Sequence, residues 1–121
     1  MLSIDVLECG EVAMLFCRGS LMAGETAEHF RRIAIAHSEA TLLVDIAELE
    51  KIDAAGVGVW LDIHNKAEHR GGSMILLNPT VWVREFLQLT HLDSVLRIVA
   101  RQEQAPRANE RTLVQVQHVA A

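Results

Sequence analysis

The sequence predicts an α/β domain: a mixed, mostly parallel β-sheet flanked by helices, in the order β-β-α-β-α-β-α-β. Three observations carry that reading. Strand-like apolar runs alternate with helical spacing along residues 2–100, the pattern of βαβ units with right-handed crossovers. The first two runs are separated only by Cys9-Gly10, which marks a hairpin and gives the sheet an antiparallel edge. Finally, 121 residues, 50% hydrophobic and 22% charged, suffice for one domain with a real core. Aromatic residues make up 4% of the chain, so that core is aliphatic.

The elements follow in order. Residues 2–8 and 11–18 are the hairpin strands, and Gly19 breaks their pattern. From Gly24 to about His37 the spacing turns helical, with Ala23, Ala27, Phe30 and Ala34 recurring at three and four residues. Leu42–Ile46 is a short apolar run of the kind that forms a central strand buried on both faces. Asp53 then reads as an N-cap, since its carboxylate can accept from the free N–H groups of a first helical turn. That helix runs to about Arg70 and stops at Gly71-Gly72. Trp60, Ile63 and Ala67 mark its buried face, while Asp62, Lys66 and Arg70 keep the other face charged.

Ser73–Leu77 is the next strand. Asn78-Pro79 reads as a second helix start, with Asn as cap and Pro in the first turn. Val83, Phe86, Leu87 and Thr90 share one face of the helix that follows, His91-Leu92-Asp93 closes it, and Val95–Ala100 is a last edge strand. Residues 1–100 thus form the domain. Residues 101–121 read as a polar linker followed by a strand-like stretch, Thr112–Val119. That stretch is either an added strand, on this sheet or on a second copy, or a mobile terminus.

Composition excludes several functions. The net charge is -5 and basic residues are scattered, against a nucleic-acid surface, which needs clustered Lys and Arg. No apolar run approaches the roughly 20 residues of a membrane span. The N-terminus carries Asp5 and Glu8 where a signal peptide is basic and then apolar, so a cytoplasmic protein is expected. Cys9 and Cys17 are then expected as thiols, although their places around a hairpin leave a bridge open.

Six histidines are present, at 29, 37, 64, 69, 91 and 118. His64 and His69 are separated by about 140° around a helix, and His29 and His37 by two turns, so no metal site is expected. No G-x-S-x-G elbow and no P-loop occur. Gly56-Val57-Gly58 lacks the third glycine of a dinucleotide fingerprint, and close helix–sheet packing explains both glycines better. Asp45 and Asp53 bracket the turn from the central strand to the second helix. Such carboxylates form an acid/base pair or a cation site, or else Asp45 bonds a loop backbone while Asp53 caps the helix; no third ligand is apparent, which favours the latter. No catalytic residue, metal or cofactor is therefore expected. What remains is a helix N-terminus at the carboxyl end of a central strand, where open α/β sheets place their sites.

The stretch LLVDIAELEKIDAAGVGVWLDIHNKAEHRGGSMILLNP, Leu42–Pro79, with the later VREFLQLTHLDSVLRI, resembles the STAS domain family, the fold of bacterial anti-sigma factor antagonists. The family pairs an apolar strand ending in Asp with a hydrophobic-Asp-Ser-Ser-Gly turn, a helix opening Gly-hydrophobic-Gly, a Gly-Gly stop and a strand ending near Asn-Pro. The resemblance covers roughly residues 4–100.

It implies a regulatory, non-enzymatic module. In the family the second serine of the turn is phosphorylated by a partner kinase that is also an anti-sigma factor, and the phosphate blocks binding by adding charge at the interface. Asp53 and Gly56 match the Asp and Gly, whereas Ala54 and Ala55 stand at the two serines. Ala55 has no hydroxyl, so no phospho-acceptor is expected there. Ser20, Ser73, Thr80 and Ser94 do not match the helix start.

The resemblance implies a partner-binding surface of Asp53, Ala54, Ala55, Gly56 and Val57, facing a regulatory protein such as a kinase-like anti-sigma factor. Alternatives are a scaffold or accessory subunit in a sensory complex or a lipid-transport ABC system, or a domain sensing a small anion, lipid or nucleotide at the same helix start. A homodimer through the C-terminal strand is a further expectation.

Overall fold

The computed structural model describes residues 1–37 and 41–100, and the backbone of 119–120. Leu2–Cys9 (β1) and Val12–Leu21 (β2) form the expected antiparallel hairpin. Then come α1 (Glu25–Ala36), β3 (Thr41–Ile52), α2 (Ala54–His69), β4 (Met74–Leu77), α3 (Val81–Leu89), a 3₁₀ turn at Leu92–Ser94 and β5 (Arg97–Val99). The predicted order holds. Val119–Ala120 add a two-residue strand, β6, antiparallel to β1; the rest of the expected Thr112–Val119 strand and of the linker lies outside the described residues. The sheet order is β5-β4-β3-β2-β1-β6, with β2 through β5 mutually parallel.

Each parallel step moves one strand in the same direction along the sheet, so right-handed crossovers place all three helices on one face. The core confirms it. Leu2, Ile4, Leu15, Leu42, Val44 and Leu76 from the strands join Phe30, Trp60, Ile63, Val83 and Leu87 from the helices in one buried cluster. Trp60 and Phe30 are its largest members and are fully buried, and each such side chain contributes about 1.5–3 kcal/mol. An ion pair between Arg31 and Asp62 ties α1 to α2, with Lys66 3.3 Å from the same carboxylate. No described helix is long and apolar enough to cross a membrane.

Several expectations are corrected. β2 does not end at Gly19 but runs through it to Leu21, because Gly19 adopts φ 107° and lets the Met1 carbonyl approach where a Cβ would clash at 2.2 Å. β3 extends from Thr41 to Ile52, well past the predicted Ile46. Against β2 it bulges twice: Phe16 pairs with Asp45 but Arg18 with Glu48, and Gly19 pairs with Leu49 but Ser20 with Lys51. The extra residues carry inward positions from Ile46 to Leu49 and then to the partly buried Ile52.

Asn78 does not cap α3. It turns the chain at φ 58°, and its amide donates to Asp45; Thr80 is the cap, its hydroxyl accepting from the Val83 N–H at 3.4 Å. Thr90 is exposed, its hydroxyl donating to the Phe86 carbonyl. The last strand starts at Arg97 rather than Val95. Cys17 sits opposite Ile4 and Cys9 opposite Val12, so the cysteines do not face each other, and both are free thiols.

Candidate interaction site at the start of the second helix

The long, twice-bulged β3 carries the chain beyond the end of β4, whose last paired residue, Leu77, lies beside Asp45. There β3 stops at Ile52 and α2 begins. Asp53 joins them in an extended conformation at φ −119°, ψ −174°. Its two oxygens have separate tasks. Oδ1 accepts from the Gly56 N–H at 3.0 Å and caps α2. Oδ2 accepts from the Ala23 N–H at 3.0 Å and ties the helix start to the segment between β2 and α1. The Asp53 N–H donates to the Leu21 carbonyl at 3.3 Å, and the Val57 N–H to the Asp53 carbonyl at 3.1 Å. The Ala23 bond first, then that from Gly56, hold the carboxyl below its usual range; desolvation opposes them and the Ala55 N–H adds to them.

Gly56 is where the turn needs glycine. A Cβ there would lie 2.5 Å from the Leu21 carbonyl oxygen and 2.8 Å from Ile52 Cγ1. Gly58 differs from expectation: it is exposed, with open space where its Cβ would stand, and close packing does not explain it. The five expected residues therefore divide. Ala54 and Ala55 are exposed on the first turn, Asp53 is half-buried, and Gly56 and Val57 are buried beneath them. Gly58, Ala23 and Gly24 add further small exposed residues around that turn.

The sequence reading missed Ala23 and the Leu21 carbonyl. Both act through main-chain groups about thirty residues from Asp53, so no side-chain pattern signals them.

Chemically the site offers two methyl groups, main chain and one occupied carboxylate. That carboxylate already accepts two main-chain hydrogen bonds. Asp45 and Asp53 do not form a pair: Asp45 accepts from the Ala47 N–H at 2.9 Å and from the Asn78 amide at 3.2 Å, while Asp53 bonds Ala23 and Gly56. Among the described residues, no group of three or more His, Cys, Asp or Glu is placed to hold a metal ion. A shallow recess lined by Asn65, Lys66, His69 and Arg70 lies at the other end of α2.

Solved structures share this architecture. A candidate anti-sigma factor antagonist from Thermotoga maritima is 20% identical, with 93% of each chain covered and a TM-score of 0.74. SpoIIAA of Bacillus, an anti-sigma factor antagonist, is 23% identical in its phosphorylated form, with 91% of this chain and 99% of that one covered and a TM-score of 0.67. The murine solute carrier 26 family member A9 anion transporter contains a similar portion, 14% identical, covering 91% of this chain and 22% of that one with a TM-score of 0.65. At these identities the likeness is one of fold. The family assignment comes from sequence: the STAS domain profile matches residues 3–105, most of the chain, and this protein belongs to the STAS domain family.

Proposed function

We propose that this domain is a non-catalytic docking module that binds a regulatory protein through the first turn of α2, in a form that cannot be switched off by phosphate at that turn. The observation that carries the reading is the exposure of Ala54 and Ala55 on a start fixed from both sides by Asp53. A surface of small side chains on a helix start tethered from both sides suits protein contact, because little conformational freedom is lost on docking. By the family pattern Ala55 stands at the phospho-acceptor position, and a methyl group cannot take a phosphoryl group. The domain then behaves as a permanently unmodified antagonist toward a kinase-like anti-sigma factor.

A second reading is a scaffold or accessory subunit of a sensory or transport assembly. The favouring observation is that the fold recurs as a portion of a much longer anion transporter. Anion sensing at the helix start has weaker physical support. The Gly56 N–H that would greet an anion is already held by the Asp53 carboxylate, and a second negative charge beside that carboxylate is repelled.

The test is affinity capture with the wild-type chain and Ala55→Glu. The variant should lose the captured regulatory protein, since a charge in the surface disrupts docking. Capture of every partner by both chains would overturn the reading.

A further inference from the structure

β1 lies at the edge of the sheet, and folded proteins usually blunt such strands against pairing with another chain. All of its residues, Leu2–Cys9, pair with β2 in one uninterrupted register, with no bulge and no proline. Its other side pairs with β6 at Asp5 and Val6, and among the described residues no other strand adjoins it. The opposite edge is β5, a strand of three residues, and shortness is itself a way of blunting an edge. β1 is longer, and its charges are engaged within the chain. The Asp5 carboxylate accepts from Arg18 of β2 at 3.3 Å. The Glu8 carboxylate lies 2.7 Å from His37 Nδ1 at the end of α1.

We propose that the outer edge of β1 is a pairing surface for β1 of a second copy of this chain, and that β6 keeps it closed. A two-fold axis perpendicular to the sheet makes the two β1 strands antiparallel and leaves the helices of both copies on one side. Residues opposite each other then lie on the same face, so both numbers of a pair are odd or both are even. The registers of longest overlap are centred on Asp5 or on Val6. The first sets two carboxylates directly opposite each other, which is unfavourable. The second sets Asp5 opposite the second copy's Leu7, Ile4 opposite its Glu8 and Ser3 opposite its Cys9, with no like charges facing.

β6 is seated on that centre, since it pairs with Asp5 and Val6. The seated strand is antiparallel to β1, as the second copy's β1 would be, so this edge accepts such a neighbour. One edge cannot hold both, and two copies pair only when β6 leaves. β6 offers two residues, whereas residues 3–9 of a second copy offer a longer ladder. Its advantage is that it belongs to the same chain and competes at high effective concentration. The C-terminal strand thus opposes a dimer rather than making one. The inference stands or falls independently of docking at α2.

Removing β6 tests it. The chain lacking residues 119–121 and, separately, the full chain carrying Val119→Pro, which removes a main-chain donor from β6, should both sediment as dimers at concentrations where the wild type sediments as a monomer. The register is read with Ser3→Cys and the native Cys9, both at exposed positions. Within one chain these positions lie about 20 Å apart along β1. Across the two-fold axis their Cα atoms lie about 4.5–5.5 Å apart, a span that a disulfide bridges. Added oxidant should link two truncated Ser3→Cys chains through these positions at least about tenfold faster than two full-length Ser3→Cys chains, whose tethered β6 competes for the edge. Non-reducing gels and mass spectrometry of the linked peptides record the result. Monomeric behaviour of both the truncated and the Val119→Pro chains, or equal linking rates with and without β6, overturns the proposal.

Discussion

Asp53 and Ala23, thirty positions apart in the chain, are joined by a 3.0 Å hydrogen bond from the Ala23 N–H to Asp53 Oδ2, while Asp53 Oδ1 caps its own helix at Gly56. One carboxylate thus fixes the start of α2 in two directions. The exposed methyl groups of Ala54 and Ala55 owe their position to that double tether.

Replacing Asp53 by Asn tests the tether. Asparagine has one acceptor oxygen; if it keeps the cap, its NH₂ meets the Ala23 N–H, donor against donor. Asp53→Asn should melt at a lower temperature than the wild type at neutral pH. The folded carboxyl titrates below its unfolded value of about 3.9, so its contribution is present above that value and disappears as pH falls through the folded one. The gap in melting temperature should therefore narrow below about pH 4. Thermal melts of both chains between pH 3 and 7 check this.

Gly56 and Gly58 should respond in opposite directions to the same substitution. Gly56→Ala drives a methyl group into the Leu21 carbonyl and should cost about 1–3 kcal/mol or more, the range of overpacking. Gly58→Ala meets nothing within 4 Å and replaces a helix-interior glycine, so it should add about 0.8–1 kcal/mol. Urea denaturation of the two variants measures both.

The two thiols should differ as sharply. Cys9 is exposed, whereas burial, helped by the nearby Asp45 charge, pushes the Cys17 thiol up to about 12. An Ellman titration at pH 8 should modify one thiol in the folded chain and both in denaturant.

Phosphorylation offers a test of the alanines. The wild-type chain should take no phosphate at residues 53–57 from any Ser/Thr kinase. Ala55→Ser should restore labelling with a cognate kinase if the surrounding surface is intact, and mass spectrometry of the peptide spanning residues 52–66 reads the result.

Elements fixed by local chemistry were legible in the sequence. The hairpin, whose turn falls on Gly10-Glu11, one residue later than expected, the Asp53 cap and the Gly71-Gly72 stop each depend on residues close in the chain. The second half of β3 was not legible, because its two bulges change the spacing of inward residues from two to three, at Ile46, Leu49 and Ile52, and period two is what a strand is recognised by. The cap of α3 was misplaced because Asn78 and Thr80 are both capping types, and only the fold shows Asn78 committed to Asp45. Of the candidate site, the Asp-x-x-Gly frame was readable; Ala23 was not, since it contributes a main-chain N–H. Gly58 looked like a packing glycine because Gly56 beside it is one.

Docking of a partner on the first turn of α2 is the proposal on which the other readings of the site depend. Calorimetric titration of a captured regulatory protein with the wild type, Ala55→Ser and Ala55→Glu tests it most directly. Near-equal Kd values are expected for the first two and at least about tenfold weaker binding for Ala55→Glu, corresponding to about 1.4 kcal/mol, with the variant's melting temperature unchanged. Equal Kd values for all three chains would contradict it.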